Sequence, residues 1–189
     1  MAVKTFTQGE KLTTADTNTY LNNGGLVYIT GATATSGTTL GINSCFNSTY
    51  DNYKIILSGF AGASTAIGLQ IKLRASGTPS STGYYYTGFF TQYGVSTTQY
   101  ETAANNSIYQ IGCVGDVNLY GGAEITLYGP NFARNTGIAS QGIDPRTAGG
   151  GCRIYSGYHS VATAYDGFEL IASNTLSALT ARVYGIRQA

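Results

Sequence analysis

Leu69-Gln70-Ile71-Lys72-Leu73-Arg74 alternates apolar and polar side chains without a break. Successive side chains of a strand point to opposite faces, so Leu69, Ile71 and Leu73 face a core and Gln70, Lys72 and Arg74 face solvent. A strand with one wet face belongs to an antiparallel sheet, because parallel strands are covered on both sides. Upstream, Leu26-Val27-Tyr28-Ile29 is apolar throughout and Tyr53-Lys54-Ile55-Ile56-Leu57 is strand-like. Downstream, Tyr84-Tyr85-Tyr86 follows a loop-like stretch rich in Ser, Thr and Gly, and further candidates lie at 108–114, 124–128, 153–159, 168–172 and 181–186. About nine or ten short strands with turn signals between them predict an all-β antiparallel sandwich of jelly-roll type, with a barrel as the alternative.

The composition agrees. The chain has 189 residues, with 26 Gly, 16 Tyr, one Met and no Trp. Gly supplies tight turns and Tyr favours strands. Charged residues make up only 10% of the chain, against about 25% in ordinary soluble domains. Such a surface is either a neutral exterior or one that packs against copies of itself or a larger assembly, since few charges need desolvation on contact. The net charge of +1 gives no pull toward nucleic acid or an anionic membrane. No stretch approaches the ~18 apolar residues of a membrane helix, and the first residues form no signal core.

The start of the chain differs from the rest. Leu12 to Asn23 reads as a short helix, with Thr13 and Asp16 spaced as a capping box and Asn22-Asn23-Gly24-Gly25 as its stop. A helix this short is marginal alone and needs a surface to dock on. Residues 1–25 are therefore an expected anchor segment, with Leu12, Tyr20 and Leu21 as docking side chains, and 26–189 the β domain. The docking partner is either that domain or a neighbouring protein.

Chemistry is sparse. Cys45, Cys113 and Cys152 lack metal-ligand spacing and are an odd number, so buried free thiols and assembly in a reducing cytoplasm are expected. The one histidine, His159, lies beside Ser160 and near Asp166, but no nucleophile-elbow motif is present. Asp116 and Glu124 flank a turn-like stretch and would converge only across a hairpin. No phosphate-cradling loop occurs, and the arginines are scattered. The chain is read as non-enzymatic, with no catalytic residue, cofactor or metal. Tyr84, Tyr85 and Tyr86 are the best binding candidates. Tyr84 and Tyr86 share one face and Tyr85 takes the other; the rings either stack on a host-surface sugar or build the core and a subunit interface.

Several segments carry a family resemblance. Gly9-Glu10-Lys11-Leu12-Thr13-Thr14-Ala15-Asp16-Thr17-Asn18 opens the chain, and Phe46-Asn47-Ser48-Thr49-Tyr50-Asp51-Asn52-Tyr53 precedes a core strand. Gly167-Phe168-Glu169-Leu170-Ile171 and Arg182-Val183-Tyr184-Gly185-Ile186-Arg187 form the end. Together these resemble a family of small structural proteins of tailed phages, seen as tail-fibre, minor tail or head-decoration proteins. The likeness is weakest between Gln92 and Gly150. It implies a β-sandwich, a homotrimer, a place in the virion beside other virion proteins, and no catalytic residues.

Overall fold

The computed structural model describes residues 9–11, 13, 25–146 and 149–186. It is all-β in these residues, with thirteen strands: β1 (Leu26–Ala34), β2 (Thr39–Ile42), β3 (Asn52–Gly62), β4 (Ile67–Ala75), β5 (Thr78–Pro79), β6 (Tyr84–Gln92), β7 (Gln99–Asn106), β8 (Tyr109–Gly115), β9 (Gly121–Tyr128), β10 (Thr136–Asp144), β11 (Gly151–His159), β12 (Gly167–Ala172) and β13 (Leu176–Ile186). Every pairing is antiparallel. An eight-stranded sheet runs β1-β13-β3-β9-β10-β11-β6-β7, and a five-stranded sheet holds β2, β12, β4, β5 and β8.

The two unequal sheets leave the jelly-roll expectation without support. No helix occurs among the described residues. Apart from Thr13, the expected helix and its docking residues Leu12, Tyr20 and Leu21 lie outside them. No helix among the described residues is long and apolar enough to cross a membrane.

Alternation builds the core. In β4, Ile67, Leu69, Ile71 and Leu73 are buried while Gln70, Lys72 and Arg74 are half-buried on the other side. In β3, Tyr53, Ile55 and Leu57 turn inward, and Phe168 and Leu170 of β12 and Leu179, Ala181 and Val183 of β13 join them. The β4–β5 connection is a two-residue turn, Ser76-Gly77, with φ of 49° and 80°. Positive φ at both positions twists with the strands it joins, as in a type I′ hairpin, and Gly77 takes it without a Cβ clash.

Tyrosine hydroxyls clip the layers together. Tyr84 on β6 accepts a hydrogen bond from the Leu73 N–H on β4 at 2.7 Å. Tyr109 on β8 donates to the Ile138 carbonyl on β10 at 2.9 Å. Each ring fills core volume and its hydroxyl meets a backbone group of the opposite sheet. That serves the packing and the polar accounting of a buried Tyr at once. Burial pushes the Tyr84 and Tyr109 hydroxyls well above their ordinary pKa, so both stay protonated. The thiols of Cys45 and Cys113 are free and buried, and that of Cys152 is half-exposed. Burial pushes Cys45 up to about 12, which keeps it an inert thiol.

Candidate functional site: the outward face of the large sheet

The strand registers place the outward side chains of the eight-stranded sheet in rows that cross the strands. The central row is Lys54, Thr126, Ala139, Ser156, Thr87 and Thr102, each paired with the next. On one side of it run Tyr128, Gly137, Tyr158 and Tyr85. On the other run Glu124, Gln141, Ile154, Phe89 and Tyr100. Apart from Lys54 at one end, the side chains of the middle row are small, and larger ones flank them except at Gly137, which makes a trough perpendicular to the strands. The central row crosses six strands at spacings of about 4.8 Å, about 24 Å in all, and both walls flank it from β9 to β6.

Three depressions of about 400, 200 and 200 Å³ lie along this face. The second and third lie along the central row and share Ser156, whereas the first lies beyond Glu124 and Gln141, which it shares with the second. The hydroxyls of Thr126, Ser156, Thr87 and Thr102 are the polar groups of the floor. Charge is limited to one end, where Lys54 donates to Glu124 at 2.7 Å. The outward face of the smaller sheet differs: Lys72 pairs in register with Glu169, next to Arg74.

The aromatic wall has two kinds of ring. Tyr128 is 50% exposed, and its ring atoms lie about 3.1 Å from where a Gly137 Cβ would stand. The glycine lets the ring lie down on the backbone, which leaves its other face open. Tyr85 and Tyr158 stack on each other, centroids 5.0 Å apart and planes 5° from parallel. Each ring covers one face of the other, and Tyr158 stays 41% exposed.

The structure separates the three tyrosines singled out in the sequence. Tyr84 is fully buried and Tyr86 is 6% exposed, so these two belong to the core and touch no ligand from outside. Tyr85 alone of the three lies in the outward wall. The period of two explains the split: the face that carries Tyr84 and Tyr86 looks toward the smaller sheet. Sequence reading missed Tyr128, Gly137, Ala139, Ser156 and Tyr158, whose relation exists only through strand pairing.

His159 is fully buried. Its Nε2 lies 2.9 Å from the Thr82 carbonyl and 3.0 Å from Ser80 Oγ, and its Nδ1 lies 3.2 Å from the Tyr165 hydroxyl. A carbonyl only accepts, so in the neutral ring the contact to Thr82 assigns the proton to Nε2 and leaves Nδ1 to accept from Tyr165. A protonated Nε2 cannot take a proton from Ser80. Burial lowers the pKa of His159, against the opposing effect of the Thr82 and Val161 carbonyls. The unfolded chain therefore binds a proton at a higher pH than the folded one. The stabilisation is full above the ordinary value and is lost as pH falls through the folded pKa. The melting temperature is expected to drop between pH 7 and pH 5, and this slope to flatten in His159→Gln. An equal slope in both proteins would show that His159 does not set it.

The carboxylates singled out in the sequence have structural partners. Glu124 pairs with Lys54, and Asp116 Oδ1 accepts from the Val117 N–H at 2.7 Å. Glu101 accepts from the Tyr155 hydroxyl at 2.7 Å. Among the described residues no three His, Cys, Asp or Glu side chains cluster as metal ligands would.

No protein-family model matches the chain, and no curated protein matches it. Among solved structures, the CBM2 module of the evolved Dit of Lactobacillus casei BL23 phage J-1 aligns with a TM-score of 0.32 at 13% identity, over 82% of this chain and 69% of that one. The catalytic domain of PdAgaC aligns with a TM-score of 0.18 at 8% identity, over 87% and 77%. At these scores neither likeness fixes the fold family or the function of this chain.

Proposed function

We propose that the chain is a non-enzymatic component of a bacteriophage particle whose outward β-sheet face holds a neutral polysaccharide of the host surface. The single observation that carries the binding reading is the trough: a floor of hydroxyls between walls that carry exposed aromatic rings, with charge at one end only. Sugar rings present apolar faces and hydroxyl rims. They are met by an open aromatic face such as that of Tyr128 and by side chains that both donate and accept, such as Thr87, Thr126 and Ser156. A neutral trough has no field to draw a charged polymer.

The particle location rests on the family resemblance of the opening, middle and closing segments, and residues 1–25 are the segment proposed to fasten the domain to other virion proteins. The absence of catalysis is supported by the engagement of His159, Glu101, Glu124 and Asp116 in structural hydrogen bonds. On this reading, purified protein binds at least one neutral chain in a panel of bacterial surface polysaccharides. Tyr128→Ala, which removes the open ring, weakens that binding at least tenfold with an unchanged melting temperature. Retention only by charged polymers, or full binding by Tyr128→Ala, would sink the proposal.

A further inference from the structure

The margins of the two sheets are not alike. In the smaller sheet β2 has four residues, and β8 packs against β9, β10 and β11. In the larger sheet, β7 carries Glu101, its register with β6 shifts between Tyr84 and Tyr86, and Asn105 sits at a φ of 54°. A charge, a register shift and a left-handed residue are the ordinary means of spoiling an edge for pairing.

β1 has fewer of these guards. Its nine residues, Leu26-Val27-Tyr28-Ile29-Thr30-Gly31-Ala32-Thr33-Ala34, include no charge and no proline, and none is buried. Among the described residues its only strand partner is β13, with a register shift between Tyr28 and Thr30 and unbroken pairing from Thr30 to Ala34, while β2 of the other sheet lies against it. About half of the backbone N–H and C=O groups of such a margin point away from the sheet. The run from Thr30 to Ala34 has only small side chains to stand in a partner's way.

We infer that β1 is an interface, and that its occupant is the β1 of a second copy of this chain, antiparallel about a twofold axis. An edge paired with itself across a twofold is its own complement and closes at two chains. The same pairing at β7 would bring two Glu101 residues together, and a β1-to-β7 contact would run on into a filament. Uncharged β1 meets uncharged β1 without repulsion, and joins two eight-stranded sheets into one. This assembly is twofold, unlike the trimer implied by the family resemblance. It stands apart from the polysaccharide reading, which either result leaves intact.

The test is molar mass by light scattering after size exclusion, at about 50 µM, a concentration at which a micromolar pair is mostly associated. Wild type is expected at twice the chain mass. The double variant Tyr28→Lys/Thr33→Lys places a positive charge near each end of the margin and is expected at the single-chain mass, with circular dichroism unchanged. Tyr28→Glu/Thr33→Glu is expected to behave the same alone. An equimolar mixture of the two is expected to recover the double mass, which a folding defect would not allow. A single-chain mass for wild type, a threefold mass, or a double mass untouched by both variants would overturn the inference.

Discussion

Asp144→Ala is expected to lower the unfolding free energy by about 3–5 kcal/mol, the usual cost of breaking a buried ion pair from one side. The Asp144 side chain is fully inaccessible at the end of β10. Arg146 donates to it through Nε at 2.8 Å and through a terminal nitrogen at 2.6 Å, and Arg153 donates at 3.1 Å. Arg153 also lies over the Phe90 ring, 4.4 Å from its centre. Removing the carboxylate strands two guanidinium groups, of which Arg153 is held in place by the ring and by β11. Burial alone would raise the pKa of Asp144, but the hydrogen bonds from Arg146 and Arg153 outweigh it and hold it below the usual carboxylate value. The stabilisation is thus present above that usual value and is lost as pH falls through the lower folded value. Urea unfolding at pH 7 measures the first effect. The gap between wild type and Asp144→Ala is expected to narrow below pH 4, and a gap that stays constant with pH would contradict the ion-pair account.

Tyr84→Ala is expected to cost a similar amount, about 3–5 kcal/mol, by emptying a ring-sized volume between the sheets. The ring is fully buried and lies 4.3 Å from that of His159. Tyr84→Phe separates the two parts of the effect. It keeps the ring and leaves the Leu73 N–H without its partner, which costs about 1–3 kcal/mol. If Tyr84→Phe melts like wild type, the hydroxyl does not clip the sheets. Neither substitution is expected to touch the outward trough directly, so folded Tyr84→Phe should bind ligand as wild type does.

These two residues mark what local sequence shows and what it does not. The parity of Tyr84-Tyr85-Tyr86 is visible in the sequence, but which parity faces the second sheet is decided by strand pairing. β4 was legible because its outward face is polar and its inward face apolar. β10, Thr136-Gly137-Ile138-Ala139-Ser140-Gln141-Gly142-Ile143-Asp144, was not. Its outward residues include Gly137 and Ala139, which keep the trough low, and its inward residues include Ser140 and Asp144. The substitutions that shape the site therefore erase the hydrophobic alternation that announces a strand. β7 was missed for a related reason: Gln99-Tyr100-Glu101-Thr102-Ala103-Ala104-Asn105-Asn106 is polar on both faces, because it lies at the margin of the larger sheet. Of the two partners of Asp144, Arg146 is close in sequence, whereas Arg153 reaches it only across the β10–β11 hairpin.

If the trough on the large sheet is where polysaccharide is held, blocking it abolishes binding while the smaller sheet tolerates the same charge. The most direct test places an obstacle at the middle of the floor. Ala139→Arg puts a long charged side chain between Thr126 and Ser156, and Gln70→Arg adds the same charge on the outward face of the smaller sheet. Binding of each protein to the neutral polysaccharide retained by wild type is measured by surface-immobilised titration, with melting temperatures as the check on folding. Ala139→Arg is expected to lose at least tenfold in affinity and Gln70→Arg to lose none. Equal binding by Ala139→Arg and wild type, or loss in Gln70→Arg alone, would contradict the trough as the binding surface.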